Sequence, residues 1–299
     1  MMDRTGYIGG SDIASVLGLS RWMTPLKLWA IKSGEIQPDD LSGKEYVQLG
    51  TELEDFVAKK FEKESGMKVR RDRRDFTLGD DDRFRAHIDR RITGSDAVLE
   101  CKTCSAWKAH EWIGEEVPTE YILQVMWYMG ITGMHKGYIA VLIGGQKFVW
   151  KEVDWDEELW DSMVAAAQNF MAAVEQCEPP SVTYGDKDTL ARMYPDSRED
   201  VLEIDPKMEE ALDETLQERN ALLQVKKDVE QELEIFDNKV KSIMGEKDTI
   251  NTDKYKITWK TQVTRRVDSA KLKEDGMYDK YSKESTSRVF RTKKRKGVT

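Results

Sequence analysis

Cysteine, proline and histidine are all scarce in this sequence, at 3, 7 and 3 of 299 residues. Three thiols, an odd number in a long chain, exclude the disulfide framework of small secreted domains. Cys101 and Cys104 form a C-x-x-C pair, but no second cysteine pair or nearby histidine pair completes a zinc site, so they read as reduced thiols near a strand end. Long apolar runs are also missing. None approaches the roughly 20 residues of a membrane helix, and the first residues lack a basic-then-apolar signal segment. The expectation is a soluble, cytoplasmic protein with no membrane partner.

Charge is abundant but unevenly placed. The formal net charge of −9 argues at first against a nucleic-acid partner. Residues 1–150 carry 21 basic and 23 acidic groups, residues 151–250 carry 11 and 27, and residues 251–299 carry 15 and 6. The acidity therefore belongs to one middle stretch, and the last segment is basic.

Periodicity organises the chain. SDIASVLGL reads as a short helix, Thr24-Pro25 as a turn into a second helix, and Tyr46–Glu64 as a longer amphipathic helix ending at Gly66. Lys68–Arg71, Arg74–Leu78, Phe84–Arg91 and Ala97–Thr103 alternate like strands of a mixed sheet. A helix over Thr119–Thr132, strands at Tyr138–Ile143 and Lys147–Val153, and a helix over Asp156–Gln176 complete an α/β or α+β domain. We expect this domain at 1–178, a linker at 179–204 opening on Glu178-Pro179-Pro180, and a C-terminal region at 205–299. Asp205-Pro206 is a good helix start. Leu222, Val229, Phe236 and Ile243 follow at seven-residue spacing, as in a coiled coil or a helix packed on its own domain. Asp253–Thr264 alternates like a hairpin strand before a basic tail.

The chemistry concentrates at Ala86-His87-Ile88-Asp89 and Leu99-Glu100-Cys101-Lys102. Strand alternation puts Glu100 and Lys102 on one face and turns Leu99 and Cys101 the other way. A turn at Gly94 would bring Asp89 beside Glu100. Two carboxylates at close range call for a cation, and a set of oxygen ligands suits Mg²⁺ or Mn²⁺. The lysine beside them can orient a water or stabilise charge on a phosphoryl oxygen. By spacing alone, such a pattern also occurs on ordinary surface strands. Glu54 stands on the apolar face of its helix, where a carboxylate needs a partner, and Gln124 and Tyr128 share one face of theirs.

Asp89…Glu100-Cys101-Lys102, with Glu54 before it and Gln124-x-x-x-Tyr128 after it, resembles the PD-(D/E)XK nuclease superfamily. Arg4-x-x-x-Ile8-Gly9-Gly10-Ser11-Asp12-Ile13, Trp22-x-Thr24-Pro25 and Leu49-Gly50-Thr51-Glu52-Leu53-Glu54 narrow the resemblance to the YqaJ viral recombinases, the lambda-type phage exonucleases. The similarity runs in the family's order from Arg4 to Val153. It implies an α/β (α+β) PD-(D/E)XK core with a mixed central sheet flanked by helices. Here that core would carry a C-terminal long helix and a β-hairpin appendage.

The implied activity is 5′→3′ digestion of linear double-stranded DNA with two Mg²⁺ ions, or Mn²⁺ in their place. The exposed 3′ strand would pass to a phage single-strand annealing protein in the cytoplasm of an infected or lysogenic bacterium. Asp89, Glu100 and the Cys101 backbone carbonyl would hold metal, Lys102 would position or activate water, and Glu54 would support the metal shell through water. Arg4, Ser11, Gln124 and Tyr128 would serve the terminal 5′ phosphate. His87 stands where the lambda enzyme has a small hydroxyl residue, which leaves its part in that pocket open. The family precedent is a homo-oligomeric ring trimer around DNA. Arginines at 70, 71, 73, 74, 83, 85, 90 and 91 are candidate DNA-backbone contacts or, with the aspartates among them, a salt-bridged sheet edge. The rival readings are an endonuclease or RecB-like nuclease subunit on the same fold, and a non-catalytic DNA-binding or assembly protein working through 205–299.

Overall fold

The computed structural model describes residues 5–198 and 200–292. Arg4 and the basic residues beyond Thr292 lie outside the described residues. The chain forms two compact units that divide between Pro195 and Asp196. Among the described residues, no helix is long and apolar enough to cross a membrane.

The first unit opens with three helices: α1 (Gly10–Val16), α2 (Pro25–Lys32) and α3 (Glu45–Ser65). Thr24 caps α2 by accepting a hydrogen bond from the Lys27 amide at 3.1 Å, with Pro25 in the first helical position, where its missing N–H costs nothing. Gly66 ends α3 at φ 76°, a left-handed conformation that glycine adopts without steric cost. Strands β1 (Val69–Arg71), β2 (Phe76–Leu78), β3 (Asp81–Ala86), β4 (Arg90–Ile92) and β5 (Ala97–Cys104) follow. After a 3₁₀ segment (Ala106–Trp112) come α4 (Thr119–Thr132), β6 (Lys136–Ile143), β7 (Lys147–Asp154) and α5 (Glu157–Glu175).

Five strands make one sheet in the order β1-β4-β5-β6-β7; β5 and β6 run parallel, joined by the α4 crossover, and the other pairs are antiparallel. Alternation along β5 gives the sheet its two faces. Leu99, with Tyr138, Ala140 and Leu142 from β6, packs under Val57 and Phe61 of α3. Val98, Ile139, Val141 and Ile143 face the larger core of α1, α2, α4 and α5. α3 thus covers one face of the sheet, and α4 covers the face that carries Glu100 and Lys102.

The expected single strand Phe84–Arg91 is broken. β3 pairs with β2 in a separate hairpin, β4 joins the main sheet, and His87-Ile88-Asp89 spans the break. The β4–β5 ladder pairs Arg90 with Leu99 and Arg91 with Val98, then stops. Where it would continue, the Cys101 amide donates to the Asp89 carboxylate at 2.8 Å, so a side chain replaces a backbone acceptor.

The expected linker at 179–204 is also revised. It contains α6 (Lys187–Met193), and the first unit extends to Pro195. Asp186, only 1% exposed, accepts hydrogen bonds from the Thr24 hydroxyl and from the Thr183 amide at 2.6 Å, while Arg192 pairs with Asp39 at 2.8 Å. These polar anchors are scattered in sequence, and that is why a polar stretch looked like a linker.

The second unit is dominated by α7 (Pro206–Met244), capped by Asp205, which accepts from the Met208 amide at 2.9 Å. Strands β8 (Thr249–Asn251) and β9 (Lys256–Thr258) form a short hairpin, and helices α8 (Ser269–Glu274) and α9 (Tyr278–Tyr281) follow. The alternating run Asp253–Thr264 therefore yields only three paired residues, because β8 offers no longer partner. Arg288-Val289-Phe290-Arg291 is not a strand.

Candidate active site

The end of the β4–β5 ladder brings Asp89 and Glu100 together, as the turn at Gly94 implied. Glu100 is 3% exposed. Its Oε1 accepts from Lys102 Nζ at 2.5 Å and from Gln124 Nε2 at 2.9 Å, and Gln124 Nε2 also donates to Tyr128 Oη at 2.8 Å. Oε2 of the same carboxylate is buried with no hydrogen-bond partner among the described residues. Leaving such an oxygen unpaired costs about 1–3 kcal/mol unless something binds it. Lys102 Nζ also lies 5.4 Å from the centre of the Tyr121 ring, which stacks on Trp112.

The electrostatics agree with the geometry. Burial, and then the charge of Glu100, push the Asp89 carboxyl well above its ordinary range. Burial alone would lower the Lys102 ammonium, but the Glu100 charge and hydrogen bond and the Asp89 charge outweigh it and raise it. Burial, then Asp89 and Glu100, push the Cys101 thiol far up, so it is an inert thiol. The two acids repel, and a divalent cation would relieve them. Among the described residues no group of three histidine, cysteine or carboxylate side chains converges on a metal position. Two carboxylates with a free buried oxygen fit an ion that keeps most of its ligands as water and phosphate oxygen, which is the habit of Mg²⁺.

Glu54 is placed differently from the expectation. Its partner is Arg90, whose side chain is 4% exposed and reaches Glu54 Oε1 and, at 2.5 Å, Asp55 Oδ1; Arg71 adds a second cation 3.7 Å from Glu54. Glu54 stands near enough to act on the Asp89 and Cys101 charges. Arg90, read from sequence as a candidate DNA contact, is therefore buried and structural. The alternation that turns Leu99 toward α3 turns its ladder partner Arg90 the same way, once the β4–β5 register is known. Arg74 pairs with Asp72, Arg83 with Asp81 and Glu175, Arg85 with Asp75, and Arg91 with Asp96, so this edge is salt-bridged.

The proposed phosphate residues fall into two groups. Gln124 and Tyr128 lie on α4 behind Glu100, and both N–H bonds of the Gln124 amide are engaged by Glu100 and Tyr128. Ser11 lies exposed on α1, which packs against α4 so closely that a Cβ on Gly10 would stand 2.5 Å from the Tyr128 ring. His87 sits in the strand break, 3.1 Å from Asp75 and beside the Tyr7 ring. Sequence reasoning missed Asp75 and Tyr121, whose partners are distant in the chain.

A mixed sheet with a helix on each face, with Asp89 just before one strand and Glu100 and Lys102 on the next, has the architecture that the PD-(D/E)XK resemblance implied. The fold is similar to that of the alkaline exonuclease LHK-Exo from Laribacter hongkongensis, with a TM-score of 0.50 and 19% identity. That similarity covers 58% of this chain and 91% of that enzyme. Residues 1–135 match the YqaJ-like viral recombinase domain. Over 97% of its length the chain is 37% identical to the Bacillus subtilis (strain 168) protein YqaJ, covering 92% of that protein. The chain belongs to the YqaJ-like viral recombinase family.

Proposed function

We propose that this protein is a metal-dependent deoxyribonuclease that digests linear duplex DNA 5′→3′ and leaves a 3′ single strand for annealing. The observation that carries the reading is the convergence of Asp89, Glu100 and Lys102, with Glu100 Oε2 buried and unpartnered among the described residues. The named activity of the similar Laribacter enzyme, an alkaline exonuclease, supports it.

Asp89, Glu100 and the Cys101 carbonyl would hold the ion, with Glu54 reaching its shell through water. When bound, Mg²⁺ or Mn²⁺ supplies Lewis-acid stabilisation of the phosphoryl charge and a more acidic water. The chain's own part is orientation. Gln124 fixes the Glu100 carboxylate, and Glu100 in turn holds the Lys102 ammonium, which donates toward the attacking water or a phosphoryl oxygen. The Cys101 amide fixes the Asp89 rotamer. Arg4, Ser11, His87 and Tyr128 are the proposed contacts of the terminal 5′ phosphate. Gln124 serves Glu100 first, since its donors are already engaged. A single-strand annealing protein would take the product, and a homo-oligomeric ring would hold the duplex.

Linear duplexes bearing a 5′ phosphate or a 5′ hydroxyl, together with closed circles, test the proposal in one assay with Mg²⁺. The expected result is digestion of the phosphorylated linear DNA, slower digestion of the hydroxyl form, and intact circles. Cut circles would establish the endonuclease reading. Indifference to the 5′ group would remove the phosphate pocket, and no cleavage of any substrate would leave the non-catalytic reading.

A further inference from the structure

The 39-residue helix α7 is about 58 Å long; among the described residues no helix or strand packs along its length, and the segment carrying Phe290 and Thr292 lies against it at Arg219. One face nevertheless repeats at alternating three- and four-residue steps from Met208 to Ile243. Leu222, Val229, Leu233, Phe236 and Ile243 on that face are between 50% and 78% exposed. A seam of this kind, left in water, is an unmet burial requirement. We propose that α7 pairs with α7 of a second copy of this chain in an antiparallel two-stranded coiled coil, with Lys226 of one helix opposite Val229 of the other.

Charge selects both the occupant and the direction. In a parallel pair each core layer faces its own copy, so Arg219 and Lys226 would each meet themselves in the seam. Glu232 would flank Asp237 of the second copy on both sides. In the antiparallel pair each core residue faces a different one. Lys226 lies against Val229, Arg219 against Phe236, and Leu212 against Ile243. The flanking positions then set Glu218 beside Lys239 of the second copy, twice by symmetry, and place no like charges together.

Sliding by one heptad destroys this match. One shift sets Glu218 against Glu232, and the other sets Glu230 and Glu232 each against its own copy. Only the register centred between Lys226 and Val229 uses the whole seam and avoids every like-charge contact. Lys226 can reach solvent from its layer because its long stem is apolar and its head is not. Arg219 is already held within its own chain by the Phe290 ring and Thr292.

The test uses the full chain with Cys177, the exposed thiol, changed to serine. Leu212→Cys and Ile243→Cys are made singly, and a short bismaleimide is applied to each variant alone and to their mixture. Peptide mass spectrometry is expected to find 212 linked to 243 in the mixture and no self-link at either position in the single variants. Self-links at 212 or at 243, or no α7 link in the mixture, overturn the proposal. Independently, Leu222→Glu with Leu233→Glu is expected to halve the light-scattering mass, whether or not the first unit assembles further. An unchanged mass overturns the pairing, and because both positions are exposed, loss of the fold does not intervene.

Discussion

Glu100 has one oxygen shared by Lys102 and Gln124 and another that no described residue satisfies. That asymmetry makes the site testable residue by residue. Lys102→Ala removes the ammonium held at the carboxylate pair without emptying the core. It is expected to lower kcat by about 10²–10³-fold with little change in KM, measured on linear duplex DNA. Gln124→Leu keeps the volume and removes the two donors that fix Glu100 and Tyr128. A loss of about 10–100-fold in activity or metal affinity is expected, read from a Mg²⁺ titration. If the Gln124 variant instead loses only its preference for a 5′ phosphate, Gln124 belongs to the phosphate pocket and not to Glu100. The clustering of the two carboxylates and the lysine was legible from spacing, because strand alternation obliges Glu100 and Lys102 to share a face and the turn at Gly94 returns Asp89 beside them. The partners of Glu54 were not, because Arg90 reaches it across 36 positions of sequence.

Elements hold these residues at fixed distances, and α4 is the one that touches most of them. It passes over Glu100 and also packs against Trp160 of α5. A Cβ added at Gly130 would stand 2.3 Å from the Trp160 ring, which itself packs against the Trp127 and Trp155 rings. Gly130→Ala is therefore expected to destabilise by about 1–3 kcal/mol despite the better helix propensity of alanine, measured by urea denaturation. α6 is tied to α2 through Asp39, whose carboxyl is held below the usual range by Lys27 and Arg192, against the opposing effect of burial. A lowered carboxyl contributes stability above its unfolded value, near pH 4, and loses it as pH falls through the lowered folded value. The expected outcome is that the Tm of the wild type falls toward that of Asp39→Asn below about pH 4 and exceeds it at neutral pH.

At the scale of the whole molecule, the two units divide between Pro195 and Asp196, past a helix that the polar composition of 179–204 concealed. Limited proteolysis is expected to cut first within residues 196–204 and to leave 187–193 protected, read by mass spectrometry of the first fragments. Cleavage at Glu178-Pro179-Pro180 before that would restore the earlier boundary. The uneven charge also takes on meaning at this scale. Many arginines of the first unit are already paired with neighbouring carboxylates, and much of the excess acidity belongs to residues after 150. Net charge is therefore a poor guide to where DNA would lie, since the field near a groove is set by its own lining.

The sequence by itself determined most elements of the first unit and which of its side chains share a face. Periods of 3.6 and 2 place nearly every helix and strand of the first unit, and alternation settles which side chains share a face before any contact is known. The family resemblance, from Ile8-Gly9-Gly10-Ser11 to Gln124-x-x-x-Tyr128, likewise rests on order along the chain. Tertiary structure alone decided where Phe84–Arg91 breaks, which carboxylates have cationic partners, and that Glu100 keeps an oxygen no described residue satisfies. Those facts depend on groups that meet across dozens of residues, through ladders that stop and side chains that replace them. Local pattern carries no information about such meetings, because it records how each segment folds and not what the fold brings against it.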